Sequence, residues 1–151
     1  MPRVFELMDR GSFSVALGDS VIVVARRMLL SRSGVVPVCE NGRFCGVVTE
    51  RDVVNFIGTA FDPLSGSAGD IMNAKVPVIS PGIDIWQAAN TMVEAGAWAL
   101  PVVEKGNLLG MFTLQNFAVE SPALAAMVFA RTARREAVRS KSVSTVEIKG
   151  T

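Results

Sequence analysis

The stretch GVVPVCENGRFCGVVTERDVV, residues 34–54, recurs without a gap 64 residues later as WALPVVEKGNLLGMFTLQNFA, residues 98–118. Pro37 aligns with Pro101, Val38 with Val102, Glu40 with Glu104, Gly42 and Gly46 with Gly106 and Gly110, and Thr49 with Thr113. Asp52 aligns with Asn116. The same offset runs back through Met28/Met92, Ala25/Ala89, Gly18/Gly82 and Met8/Met72, giving ten identities in the 49 pairs from Glu6/Asp70 to Val54/Ala118. Apolar residues trade for apolar ones at many other pairs, so the pattern is an internal duplication.

Each copy carries the same punctuation. Phe13 to Ala16 and Val76 to Ser80 read as a short first strand, followed by a turn at Gly18 or Gly82. Ser20 and Asp84 read as N-caps; beyond them Val21, Val24, Ala25, Met28 and Leu29 recur at helical spacing, as do Ile85, Ala88, Ala89, Met92 and Val93. Two apolar runs then flank Asn41-Gly42 or Lys105-Gly106 and read as a hairpin, after which Glu50 or Leu114 opens a second helix. The fold class is α/β of the α+β kind: two β-α-β-β-α repeats packed about a pseudo-twofold axis, since neither half alone covers both faces of a three-stranded sheet. The predicted organisation is a first repeat over 1–60, a Gly/Ser/Pro-rich linker over 61–69, a second repeat over 70–119, and a basic helix with its tail over 120–151.

Composition narrows the chemistry. The net charge is +1, from 15 basic and 14 acidic residues, so no whole-chain field favours nucleic acid or an anionic membrane. No stretch approaches the roughly 20 apolar residues of a membrane span, and charges in MPRVFELMDRGSFS stand where a signal peptide needs an apolar run. A cytoplasmic location is the expectation. Histidine is absent, which excludes His-based triads and His-containing zinc sites. Cys39 and Cys45 are too few for an all-cysteine zinc site, and no metal site is expected. A two-residue Asn41-Gly42 turn sets position 39 against 44 and 45 against 38, which points the two thiols to opposite faces. Both read as small buried apolar residues, not as a disulfide.

The two copies, with VVPV or LPVV before the hairpin and G-h-h-T-x-x-D/N (h apolar) after it, resemble a tandem pair of cystathionine-beta-synthase (CBS) motifs, the Bateman module, over residues 6–118. The resemblance implies a regulatory, non-catalytic module that takes an adenosine-containing ligand (AMP, ADP, ATP or S-adenosylmethionine) in clefts between the motifs. It also implies a homodimer and a protein partner that receives the signal. Carried over by position, one cleft joins Thr49 and Asp52 to Val76, Val78, Ala97, Trp98, Ala99 and Leu100. The other joins Thr113 and Asn116 to Phe13, Ser14, Val15, Gly34, Val35 and Val36.

The residues bear this role on their own chemistry. A carboxylate at Asp52 accepts hydrogen bonds from both hydroxyls of a ribose diol, and Thr49 bonds an oxygen of phosphate or ribose. The helix start behind them adds free N–H groups and partial positive charge. Arg51 and Lys75 are the nearest cations for a phosphate, though the motif fixes neither. The plainer reading makes Thr49 an N-cap, which is compatible with binding, and Asp52 a solvated residue near the positive helix end. Asn116 offers one carbonyl oxygen and no charge, so the second cleft is expected to be weak, altered or empty. Trp98 either stacks on a base or fills core or interface space, and Trp86 reads as packing.

Ser121-Pro122 opens a helix of about 18 residues, N-cap then proline at the first helical position. Leu124, Met127, Val128 and Phe129 make its first half apolar; Arg131, Arg134, Arg135, Arg139 and Lys141 make its second half basic, five of the 15 basic residues. The apolar half should dock on the module or on a second subunit, with the arginines solvated. Residues 142–151, SVSTVEIKGT, read as an edge strand or a fraying end. Two rival functions stand beside the sensor: a ligand-free interaction module acting through this helix, and a ligand-controlled nucleic-acid binder, for which one basic helix without interleaved aromatics is a poor fit. A Thr/Asp pair at a helix start matches no acid-base constellation, so an enzyme is not expected.

Overall fold

The computed structural model describes residues 1–11, 14–31 and 33–147, with side chains through residue 139. In chain order the elements are α1 (Val4–Leu7), β1 (Val15–Ala16), α2 (Val21–Met28), β2 (Val35–Glu40), β3 (Arg43–Thr49), α3 (Glu50–Thr59), α4 (Ala68–Ile71), α5 (Ile85–Ala95), β4 (Ala99–Glu104), β5 (Asn107–Thr113), α6 (Leu114–Glu120) and α7 (Pro122–Glu147).

Both hairpins close as the dipeptides predict. Asn41 and Gly42 have φ of 53° and 81°, and Lys105 and Gly106 have 51° and 84°. Two consecutive left-handed residues make the turn whose twist matches the flanking strands. The strands pair in the order β1-β2-β3-β5-β4, and the two hairpins meet through Arg43 opposite Asn107. β1 runs parallel to β2, with Val15 opposite Val38. In the second repeat the same pairing shrinks to one bridge, Ile79 opposite Val102, so Val76–Ser80 forms no strand. The next rung would need the N–H at position 81, where the first repeat has Leu17 and the second has Pro81, without an N–H.

One register detail corrects the expectation for the thiols. Cys39 faces Phe44 as predicted, but the register shifts at Val38/Cys39 and Val38 faces Gly46, leaving Cys45 unmatched as the extra residue of a bulge. The simple alternation that set the two thiols on opposite faces therefore does not apply. Both cysteines are free and half-buried.

Two hydrophobic clusters flank the sheet, one per repeat. Val15, Val21, Val24, Met28, Val36, Val38, Val48 and Val53 build the first; Ile79, Ile85, Ala88, Ala89, Met92, Leu100, Val102, Phe112 and Phe117 build the second. The short helices are exchanged between them. Val4 of α1 is fully buried in the second cluster, and Ala68 of α4 in the first. Helices of four residues hold no shape alone, so these are fixed by the neighbours they join. Val4 and Phe5 donate their N–H groups to the carbonyls of Ile83 (2.9 Å) and Pro81 (3.0 Å), and Ala68 and Gly69 to those of Asp19 (2.8 Å) and Leu17 (2.9 Å).

After each exchanged helix the chain crosses the opposite hairpin. Asp9 and Met111 exchange both backbone hydrogen bonds (2.8 and 2.9 Å), as Asn73 and Val47 do (2.8 and 3.1 Å). Glycine makes the approach possible: a Cβ at Gly46 would sit 2.7 Å from the Asn73 carbonyl oxygen, and Gly110 stands in the same relation to Asp9.

α7 is longer than the sequence suggests. It runs 26 residues from Pro122, with the Ser121 hydroxyl accepting from the Leu124 N–H (3.4 Å). Leu124, Ala125 and Val128 complete the second cluster. Residues 142–147 continue this helix and form no edge strand, while 148–151 lie outside the described residues. No helix among the described residues is long and apolar enough to cross a membrane.

Candidate functional site

The first helix start is a closed hydrogen-bond box. Thr49 has extended backbone (φ −100°, ψ 165°), which turns its hydroxyl toward the free N–H groups of α3. Its oxygen accepts from the Asp52 N–H at 3.2 Å. In return Asp52 Oδ2 accepts from the Thr49 N–H at 2.8 Å and from the Thr49 hydroxyl at 3.0 Å. The capping reading of Thr49 is thus borne out, and Asp52 is held by the same box instead of lying loose on the helix. Asp52 Oδ1 has no hydrogen-bond partner among the described residues. A half-buried carboxylate with one oxygen fixed and the other free is oriented for a ligand hydroxyl.

The second helix start repeats the box with different chemistry. Asn116 Oδ1 accepts from the Thr113 N–H at 2.7 Å and from its hydroxyl at 3.2 Å. That uses the one side-chain oxygen Asn116 has. Its amide donates to Asp9 Oδ1 across a long 3.4 Å bond. Thr113 is buried to 4 % exposure, whereas Thr49 is half-buried.

Two cavities join residues from both repeats. One of about 200 Å³ is lined by Arg10, Gly11, Ser14, Cys39, Leu109 and Gly110 among others; one of about 150 Å³ is lined by Ser33, Trp98, Thr113, Leu114 and Gln115. Ser14 and Thr113, both assigned to the second cleft, thus each face residues of the other repeat. Neither of these cavities is lined by Thr49 or Asp52. Burial pushes the Cys39 thiol above its usual range, with nearby Cys45 adding to the rise and a hydrogen bond with Ser14 opposing it.

The remaining assigned residues separate by environment. Arg51, Lys75 and Val78 are exposed, and Val76 and Ala97 are half-buried. Ala99 and Leu100 are buried in β4 opposite Thr113 and Phe112, while Val35 and Val36 pair with Thr49 and Val48. Each threonine's neighbour within the sheet therefore comes from its own repeat. Val15 and Val36 are core residues, and Gly34 takes φ 70° with its carbonyl accepting from the Glu50 N–H (3.1 Å). Phe13 lies outside the described residues.

Trp98 is turned onto α7. Its indole N–H donates to Glu136 at 2.6 Å, and its ring meets Phe129 at 5.3 Å between centroids. This is the packing reading of Trp98, with one edge left on the smaller cavity. Arg135 reinforces the contact by donating to the Glu94 carbonyl at the end of α5. Sequence reasoning missed Asp9, Asn73 and Ser33, although the 64-residue offset already pairs Asp9 with Asn73.

The family model described as CBS domain matches residues 4–59 and 68–120. Hypoxic response protein 1 of Mycobacterium tuberculosis is 24% identical over 133 residues, 87% of this chain and 93% of that protein. Among solved structures, a putative acetoin utilization protein (AcuB) from Vibrio cholerae superposes with a TM-score of 0.74 at 21% identity, covering 84% of this chain and 95% of that one. The structure of CBSX2 in complex with AMP superposes with a TM-score of 0.70 at 21% identity, over 80% of this chain and 96% of that one.

Proposed function

The chain belongs to the CBS domain family, and from that premise we propose that it is a non-catalytic regulatory module binding an adenosine-containing ligand between its two repeats. Asp52 carries the reading. Its Oδ2 is locked into the helix start while Oδ1 is left free, which suits a carboxylate that must meet a ribose diol without rearranging. The start of α3 adds free backbone N–H groups for a phosphate, with Arg51 and Lys75 exposed nearby in sequence or across the crossing segment. A neighbour of the same fold bound to AMP supports the ligand class.

The signalling route follows the crossing segments. A ligand seated between repeats bears on chains that belong to one half and pair with the other, so occupancy shifts both together. A homodimer is part of this proposal. α7 covers α5 and α6, whereas Leu29 and Leu30 just after α2, and Val54 and Ile57 on α3, remain exposed and offer an apolar face to a second copy.

Isothermal titration with AMP, ADP, ATP and S-adenosylmethionine tests the reading, with Asp52→Ala as control. A binding site of the native chain that the variant loses supports it; equal binding by both removes Asp52 from the site. The docking of Trp98 on α7 favours a second reading, an interaction module that acts through that helix. A folded chain that binds none of the four ligands would leave that second reading standing.

A further inference from the structure

We propose that Asp9 is the ribose-binding carboxylate of the second cleft, taking the place that Asn116 leaves uncharged; this deepens the adenosine reading above and rests on it. The first argument is an exchange between repeats. At the 64-residue offset Asp52 corresponds to Asn116, and Asn73 corresponds to Asp9. Each helix start therefore meets one carboxylate and one carboxamide, with the two positions traded. Loss of charge at 116 is matched by charge on the segment that crosses beside it.

The second argument is placement. Asp9 exchanges both backbone hydrogen bonds with Met111, two residues before Thr113, so its side chain is held next to the start of α6. Gly110 is what admits the crossing chain this closely. Asn116 Nδ2 then donates to Asp9 Oδ1 and orients the carboxylate.

The third argument is a count of acceptors. Asn116 has a single side-chain oxygen, and the Thr113 N–H and hydroxyl both use it. A ribose hydroxyl could reach it only by displacing the helix cap. Asp52 differs, because after closing the same box it retains Oδ1. Beside the start of α6 the free acceptor is the exposed Asp9 Oδ2, which has no hydrogen-bond partner among the described residues. Asn73, the counterpart of Asp9, turns its own Oδ1 back onto the Lys75 N–H (3.0 Å) and leaves the first cleft to Asp52. The two clefts thus hold the same diol with carboxylates that both come from the first repeat, Asp52 on α3 and Asp9 on the segment that crosses to the second hairpin.

Isothermal titration of AMP into the full chain tests this, with Asp9→Asn, Asp52→Asn and the double variant compared after thermal unfolding confirms that each is folded. The expected result is two AMP sites per native chain, one weakened at least tenfold by each single variant and both by the double. Asp9→Asn keeps the shape of the side chain, so a lost site reports the missing charge and not a detached segment. 2′-Deoxy-AMP should narrow the difference between native chain and Asp9→Asn, since it lacks half of the diol. Native-like binding by Asp9→Asn overturns the assignment while the adenosine reading stands. A native chain that binds no AMP overturns both.

Discussion

The carbonyl oxygen of Asp9 occupies the place where a side chain at Gly110 would begin, and the carbonyl oxygen of Asn73 stands in the same relation to Gly46. Backbone meets backbone at both points, so neither can yield as a flexible side chain would. Gly110→Ala should destabilise the protein by about 1–3 kcal/mol, the range for forcing a methyl group into filled space. Gly46→Ala should fall in the same range. Gly18, which faces open space, provides the control: Gly18→Ala should stay within about 0.5 kcal/mol of the native protein in urea unfolding.

Asp52 has a structural and a binding task that substitution separates. Asp52→Ala should lose about 1 kcal/mol of stability, because the Thr49 N–H and hydroxyl lose their acceptor. Asp52→Asn should hold stability within about 0.5 kcal/mol, since Asn116 closes the same box in the second repeat. Nucleotide affinity at the cleft that holds Asp52 should nevertheless fall about tenfold or more, the difference between a charged and a neutral acceptor. Calorimetric unfolding and titration on the same samples check the split; equal nucleotide affinity for the native chain and Asp52→Asn would contradict it.

Thr132 is fully buried on α7, and its hydroxyl has no hydrogen-bond partner among the described residues. Thr132→Val replaces the hydroxyl with a methyl group of similar volume and should raise stability by about 1 kcal/mol. Thr91→Val is the comparison, because the Thr91 hydroxyl donates to the Gln87 carbonyl at 3.1 Å and is exposed to water in part. It should show no such gain in denaturant unfolding. A loss at Thr132→Val would mean that the hydroxyl is satisfied in solution.

Trp98 and Arg135 tie the basic half of α7 to the second repeat through Glu136, Phe129 and the Glu94 carbonyl. Trp98→Ala removes the ring contact and the indole hydrogen bond together. Limited trypsin digestion followed by mass spectrometry should then show cleavage after Arg131, Arg134 and Arg135 accelerated several-fold, as expected when local opening becomes easier. Unchanged cleavage would show that Leu124, Ala125 and Val128 alone hold the helix.

Local chemistry made the hairpins and long helices readable. Asn41-Gly42 and Lys105-Gly106 mark the turns, and Ser20, Thr49 and Asp84 each accept a backbone N–H at the start of the helix predicted for them. α1 and α4 were not readable, because four residues show no periodicity and their apolar contacts come from the other repeat. The bulge at Val38/Cys39 leaves no residue signal either, since any side chain tolerates it. Thr49 and Asp52 were legible as a pair through the repeat. Asp9 was not, because a lone acid in a charged N-terminal segment acquires its meaning only when the crossing sets it beside Asn116.

The exchange of α1 and α4 has a consequence for how such a chain is assembled. Each half completes its core with a helix from the other, the arrangement of a swapped dimer of half-length chains. Residues 60–67 fuse the two halves, so an association that would depend on dilution becomes intramolecular. Fusion also frees the halves from symmetry: once both lie in one polypeptide, an acid at one helix start can become an amide while the opposite amide becomes an acid. Identical subunits could not make that trade.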